Sequence, residues 1–559
     1  MVQLGRQHNK LLVMNKLYGM VLFFLAITTY AQPTFTRYDY LHGKLTPLRS
    51  CFDVKMYDVT VKIEPQRKFI SGVNKISFLV VNDFRKCQLD LFSIINIDSI
   101  VFEGKQVLYN RDSNAVYVDL GIKVKKGILG MLSVYFSGNP LVAKKAPWEG
   151  GFVWSKDAAN TDWVGLACEG IGASSWLPCK DHWSDEPDSM QMHLQVPSFL
   201  VGVSNGKLMG KVELTNGFTQ YDWKVSNTIN NYNISINVGA YMHIHDTYKA
   251  KFSNISEPLM LDYYVLSEHA TQAKEHFKQV ATMLTAFEKY FGPYPFWEDG
   301  YKLVETPYWG MEHQSCVAYG NDYTNNSYDF DFIIVHESGH EWFGNSLTAN
   351  DPAEMWIHES FTTYSEALYV EYVLGYTKAQ QYLTDQLSRI ANQEPLVGPF
   401  DVNYHGQKDN DIYYKGSWML HTLRSVIDND TLWFSMIKEL CTTYKKQQIS
   451  TVQIIDFFSQ RSGTKLNRFF EQYLYTNTLP VLEYKIEDRG ERNLMVSYRW
   501  INAVTGFNMP IKLTATKGVY ETVTPTKNWQ LIDLNYFNEN DFNIEPHKYL
   551  INLNKIKTK

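Results

Sequence analysis

A chain of 559 residues is longer than one hydrophobic core usually supports, and at roughly 100–200 residues per domain it predicts three or four units. With 45% apolar, 20% charged and 15% aromatic residues, and no low-complexity tract or internal repeat, the composition excludes a mainly disordered chain. The formal net charge is −6, and no block of like charges could track phosphates or anchor to a membrane surface, which argues against nucleic acid as a partner.

The amino terminus carries Arg6, Lys10 and Lys16, then an apolar run over residues 20–27, then Thr29-Tyr30-Ala31 ahead of Gln32. Basic flank, short apolar core and small residue at the end predict a signal peptide over residues 1–31. The run is short for a membrane span of about 20 residues, so an uncleaved anchor is the lesser alternative. No later stretch is long and apolar enough to cross a bilayer, and the expectation is an exported protein, periplasmic or secreted, with no integral membrane segment after signal removal. Six cysteines, at 51, 87, 168, 179, 316 and 441, are too sparse for a disulfide scaffold and form no CxxC pair. One or two bridges stay open.

From Tyr57 the apolar positions alternate through Val59, Val61 and Ile63, Glu64-Pro65-Gln66-Arg67 reverses the chain, and residues 69–81 form another strand-like run. Such segments continue to about Tyr248, which predicts a β domain over 32–255. At Ser267 the period changes. Ala273, Phe277, Val280, Leu284 and Phe287 fall at helical spacing until Gly292-Pro293 stops the helix. Strands are expected at 301–305 and 316–319, and helices dominate from about Asp331 to Tyr475, giving a catalytic domain over 256–479. Runs such as Leu494-Met495-Val496-Ser497-Tyr498 return to period two and predict a small β-sandwich over 480–559.

The stretch Ile334-Val335-His336-Glu337-Ser338-Gly339-His340 contains H-E-x-x-H, and four-residue spacing on a helix puts both imidazoles on one face, one turn apart. A catalytic zinc takes a third protein ligand and keeps one position for water. Glu359 can supply that ligand, since it follows His340 after eighteen residues in a second helical stretch, 353–372, that could return a carboxylate to the metal. Glu337 faces the water instead and is the expected general base.

With these residues in view, the chain resembles the aminopeptidase N family of gluzincin zinc metallopeptidases, which also includes leukotriene hydrolase. That family has eighteen residues between the second histidine and its glutamate ligand, as here between His340 and Glu359, whereas thermolysin-like endopeptidases have nineteen. Glu341-Trp342-Phe343-Gly344-Asn345 resembles the family's stretch after the metal motif. Trp309-Gly310-Met311-Glu312-His313 resembles its G-x-M-E-N exopeptidase strand, with His313 in place of asparagine. The resemblance implies that Glu312 holds the substrate's α-ammonium group, while the backbone of Gly310 and Met311 pairs with an extended peptide. Cys168-Glu169-Gly170 through Leu177-Pro178-Cys179-Lys180-Asp181 resembles a degenerate form of the Q-x-E-A and F-P-C-x-D segment. Ala167 replaces the glutamine and Ser174 an arginine. That match implies Glu169 as a second amine-binding carboxylate.

Ile412-Tyr413-Tyr414-Lys415-Gly416 resembles the family's Y-x-K-G segment, whose tyrosine donates a hydrogen bond to the oxyanion, and register selects Tyr413. Glu366 matches a family carboxylate near the metal ligands, and Asn345 is expected to support the site with it. Ile357-His358-Glu359-Ser360 departs from the family's N-E-G around the metal glutamate. The implied fold is α+β and multidomain: an antiparallel β domain, a thermolysin-like, mainly helical catalytic domain and a β-sandwich, without the large carboxy-terminal helical domain of longer members. The implied activity is zinc-dependent removal of amino-terminal residues from peptides, with one Zn2+ per chain. A zinc endopeptidase and a non-catalytic peptide-binding relative are the rival readings.

Overall fold

The computed structural model describes residues 34–404, 409–516, 518–545 and 547–557, so the expected signal peptide lies outside the described residues. In the first half, alternating side chains give the central strands one apolar face. β1 (Phe52–Glu64) buries Tyr57, Val59, Val61 and Ile63 completely. A short 3-10 turn at Pro65–Arg67, closed by Lys68 at φ 49°, leads into β2 (Phe69–Val80). With β3 (Leu129–Gly138), β4 (Ser189–Pro197) and β5 (Phe218–Val225) these belong to an eight-stranded sheet whose centre runs β5-β4-β1-β2-β3. Within that centre the strands pair antiparallel except β1 with β4, which run parallel from Met56 opposite Ser189 to Lys62 opposite Gln195. A parallel pair between strands so far apart in sequence leaves no turn signal from which it could be read.

A second, five-stranded sheet carries β6 (Tyr241–Tyr248), β7 (Leu259–Leu266), β8 (Tyr301–Glu305), β9 (Gly310–Met311) and β10 (Val317–Tyr319), in the order β6-β7-β8-β10-β9. β6 lies before the expected boundary at 255, yet it pairs along its whole length with β7. The sheet that presents Gly310–Met311 at its edge therefore begins earlier than the change of period in the sequence.

Where one helix is expected from Ser267 the chain forms two, α1 (Ala270–His276) and α2 (Gln279–Phe291). Phe277 caps the first and is buried against the rings of Tyr263, Tyr319 and Tyr323, so packing overrides the continuous helical period. Gly292, at φ 93°, ends the second. The site is carried by α3 (Phe332–Gly339), α4 (Trp356–Leu374) and α5 (Tyr414–Ile427). No helix among the described residues is long and apolar enough to cross a membrane.

The carboxy-terminal stretch forms a four-stranded sheet of β11 (Val481–Asp488), β12 (Asn493–Ile501), β13 (Gln530–Asn535) and β14 (Asn552–Lys555), in the order β13-β12-β11-β14, and a separate hairpin of Ile511–Thr516 with Val519–Val523. Its core is continuous with that of the catalytic helices, and Tyr473 donates its hydroxyl to the Leu550 carbonyl at 2.8 Å. All six cysteines are free thiols and buried, so none of the bridges left open by the sequence forms.

Candidate active site

Asp331 starts α3 by accepting the backbone N–H groups of Ile333 and Ile334, two of the donors that every helix start leaves unmatched. The helix is buried nearly all round, and Gly339 lets α4 approach closely: a Cβ there would lie 2.7 Å from Ser365 Oγ. That approach brings Glu359 to the two histidines. His340 Nε2 and His336 Nε2 stand 3.3 Å apart, and Glu359 Oε2 lies 3.6 Å from His336 and 3.5 Å from His340. A tetrahedral site with bonds of about 2.0–2.1 Å has ligand–ligand edges of about 3.3–3.4 Å, close to these three spacings.

Orientation points the same way as distance. His336 Nδ1 donates to Glu366 Oε1 at 2.7 Å and His340 Nδ1 to the Phe343 carbonyl at 3.0 Å, which turns both Nε2 lone pairs inward. Glu359 Oε2 is buried without a hydrogen-bond donor. Three acceptors thus face one point, an arrangement that repels itself unless a cation sits there. Burial alone would lower His336, but Glu359 and Glu366 outweigh it and raise it well above the usual imidazole range. The site asks for positive charge.

Glu169, Glu312, Glu337, Glu359 and Glu366 meet in a cleft of about 260 Å³. Burial, then the charges of Glu312 and Glu359, push Glu337 up to about 8 against the opposing pull of His336. Burial and the charges of Glu312, Glu359 and Glu337 likewise push the half-buried Glu169 well up. Glu312 is 3% exposed, burial raises it, and its Oε1 has no hydrogen-bond partner. Carboxylate oxygens of Glu312 and Glu337 and a ring nitrogen of His340 all lie within 4.8 Å of one another. Gly310 makes this crowding possible, since a Cβ at that position would stand 2.8 Å from Glu337 Oε1 and 3.0 Å from Ile333.

Tyr413 immediately precedes α5, lines the cleft, and holds its ring 6.1 Å from that of His336. Burial and the surrounding carboxylates keep its phenol protonated well above the ordinary tyrosine range, so its O–H stays available as a donor. The Lys415-Gly416 pair that selected Tyr413 has a packing role. A Cβ on Gly416 would fall 1.7 Å from Ser360 Oγ, and Ser360, next to Glu359, donates to the Ile412 carbonyl at 2.6 Å. Lys415 donates to the Thr476 carbonyl at 2.8 Å. These contacts register α5 against α4, and hence Tyr413 against the histidines.

The remaining expected residues take supporting places. Glu366 accepts from His336 and from the Tyr382 hydroxyl. The Asn345 side chain makes no hydrogen bond to either histidine ring: its amide donates to the Glu312 carbonyl at 2.9 Å and its oxygen accepts from Asn233 at 2.7 Å, while its backbone N–H donates to the His340 carbonyl at 2.9 Å, so it ties the Glu312 end of the cleft to the metal motif. His313 is fully buried with neither ring nitrogen bonded, and burial pushes it down to about 3, so it stays neutral. Asp181 ends the degenerate segment, accepts from Ser174 N at 2.9 Å and lies 3.3 Å from His42 Nε2, which pins the loop that carries Glu169. Sequence reasoning did not find Tyr382, the Phe343 carbonyl or Thr362, whose Oγ1 lies 3.2 Å from His340 Nδ1. Only Thr362 has a local signal, one turn from Glu359 on the same helix.

A helical domain that sets two histidines and a glutamate around a cation-seeking point, beside a sheet edge, has the ligand set and spacing of a single-zinc centre. Residues 275–473 match the model of the peptidase family M1 domain. The chain is 24% identical over 472 residues to aminopeptidase M1 of Arabidopsis thaliana, covering 78% of this chain and 51% of that protein. To aminopeptidase N of Lactobacillus helveticus it is 22% identical, covering 79% and 53%. The chain thus spans about half the length of the curated relatives it matches. Among solved structures, a two-domain M1 zinc metallopeptidase mutant bound to L-tryptophan aligns with TM-score 0.66 at 20% identity, covering 77% of this chain and 95% of that one. An M1 zinc metallopeptidase mutant from Deinococcus radiodurans bound to a Tyr-ser-ala substrate aligns with TM-score 0.63 at 21% identity, covering 77% and 95%. The matched segment, residues 275–473, is thus similar to the peptidase family M1 domain, and the relatives it resembles include aminopeptidase N. Its implied cofactor is Zn2+, and His336, His340 and Glu359 fit it.

Proposed function

We propose that this protein is a zinc aminopeptidase that hydrolyses the amino-terminal peptide bond of peptides. The observation that carries the reading is Glu312, a buried carboxylate with an unpartnered oxygen, set beside the metal trio in a cleft already rich in negative charge. A buried charge of this kind needs an opposite charge with hydrogen bonds to give, and a free α-ammonium supplies both. Held there, and less firmly by Glu169, the substrate offers its first peptide bond to the trio, and its backbone can pair with the edge strand at Gly310–Met311.

When bound, Zn2+ would polarise the carbonyl and lower the pKa of water to about 7. Glu337 takes the proton from the attacking water and passes it to the leaving nitrogen. Tyr413 donates to the oxygen that gains charge as the carbonyl becomes tetrahedral, a contact stronger in the transition state than in the ground state. Glu366 holds the His336 ring with Nε2 inward. The names of the relatives, aminopeptidase M1 and aminopeptidase N, support the same reading. So does the presence of ligands, base and tyrosine together, which a non-catalytic peptide binder does not need. The signal-like amino terminus supports an exported location.

The test is hydrolysis of matched peptides with free and acetylated amino termini, before and after chelation and return of zinc. Metal-dependent cleavage of the free forms alone is expected. Equal cleavage of acetylated peptides makes the protein an endopeptidase and removes the role of Glu312.

A further inference from the structure

Two large exposed aromatic side chains stand on the rim of the same cleft. Trp309 is 42% exposed and Trp148 60%, and their rings lie 6.0 Å apart at 34°. Trp309 is fixed in place: its indole N–H donates to Asn321 Oδ1 at 3.0 Å, and its ring stacks on Phe332 at 5.5 Å and 17°. Phe332 in turn stacks on His336 at 5.1 Å and 20°. An aromatic series therefore runs from a metal ligand out to the rim, within one cavity. Trp148 comes from the amino-terminal β region, on a turn closed by the Lys145–Glu149 bridge, with the Lys145 ammonium 5.0 Å from its ring. Aligned on Met311 and Glu312, Trp309 stands where the G-x-M-E-N pattern has its glycine.

We propose that Trp309 and Trp148 form a subsite for an aromatic or large apolar side chain on the second or third residue of the substrate, beyond the bond that is cut. The proposal rests on the aminopeptidase reading. With the α-ammonium at Glu312 and the peptide extended along Gly310–Met311, the chain points away from Glu312 toward Trp309. Three residues of strand span about 10 Å, which is the distance from the amine to the side chains of the second and third substrate residues. A tryptophan left in water at that distance has apolar area to bury and a ring face to stack, and a peptide aromatic satisfies both. Alternatively, the pair only latches the β region to the catalytic domain. A latch has no reason to distinguish one second residue from another.

The experiment compares kcat/KM of the zinc-loaded chain for Ala-Ala-Ala, Ala-Phe-Ala and Ala-Ala-Phe, in wild type and in the Trp309→Ala, Trp309→Phe and Trp148→Ala variants. Wild type should prefer at least one phenylalanine peptide by about 3- to 10-fold, carried in KM. Both alanine variants should reduce that ratio toward one, and Trp309→Phe should keep most of it. No preference in wild type, or a loss shared equally by the three peptides in the alanine variants, overturns the subsite. Absence of cleavage of any free-amine peptide by wild type would instead overturn the aminopeptidase reading, and the subsite with it.

Discussion

Among the described residues, two groups of two histidines and one carboxylate occur, one at the helical centre and one on the outside of the five-stranded sheet. His336, His340 and Glu359 are buried, stand 3.3–3.6 Å apart, and have both Nδ1 atoms engaged by outer partners, so that only acceptors face inward. His243 and His245 on β6 converge on one oxygen of Asp262 on β7, at 2.7 and 3.1 Å, and both rings are nearly half exposed. Burial opposes ionisation of Asp262, yet hydrogen bonds from the two histidines hold it below the usual carboxylate range. The outer group is a closed set of donors and an acceptor, already satisfied. The inner one is unsatisfied until a cation arrives. Convergence of ligand types is thus a weaker sign of a metal centre than the direction of the lone pairs and what holds them there.

Several substitutions break or sharpen this contrast. The largest effect is expected for His340→Ala, which should abolish both retained zinc and peptidase activity, whereas His245→Ala should leave the zinc content of dialysed protein and the rate within about twofold. Zinc content that falls equally in both would show that the outer group holds metal too. Glu337→Gln should keep the full zinc content while lowering kcat by about 10² to 10⁴, since a base is lost and no ligand is. Tyr413→Phe should reduce kcat by roughly 10² with little change in KM, as expected of a donor that acts on the oxyanion. Glu366→Gln should weaken zinc by about 10- to 100-fold in a chelator competition, because His336 loses the carboxylate that orients it.

The smallest effect concerns a histidine–carboxylate pair away from both groups, His42 with Asp181, 3.3 Å apart. Burial works to raise Asp181, but His42 and the Ser174 hydroxyl and N–H hold it at about 2. A folded-state value below the unfolded one means stability that is full above about pH 4 and is lost as pH falls toward 2, worth about 2 kcal/mol. Denaturant melts at pH 5 and pH 2 should show that loss in wild type and much less of it in Asp181→Asn.

What the sequence made legible follows from the range of each signal. His336, Glu337, His340 and Tyr413 sit in short motifs whose spacing is local, so the helix period alone brings His336 and His340 together and the motif register places Tyr413 in the same cleft. The strands of the first half were legible because Tyr57, Val59, Val61 and Ile63 alternate. What depends on distant segments was hidden: the parallel pairing of β1 with β4, the membership of β6 in the catalytic sheet, the break at Phe277, and the outer partners Tyr382 and the Phe343 carbonyl. Asn345 shows the limit well, for its place near the metal motif was readable while its actual partner, the Glu312 carbonyl, comes from another strand. Gly310, Gly339 and Gly416 belong to the same class, since only packing shows why a Cβ is excluded at each.

The most direct test of the central claim compares the hydrolysis of one peptide with free and acetylated amino termini, in wild type and in Glu312→Ala, at equal zinc content. The account predicts strong preference for the free form in wild type and loss of most of that preference in the variant, chiefly through slower cleavage of the free peptide. An unchanged preference in Glu312→Ala would contradict the assignment of Glu312 as the group that recognises the substrate's amine.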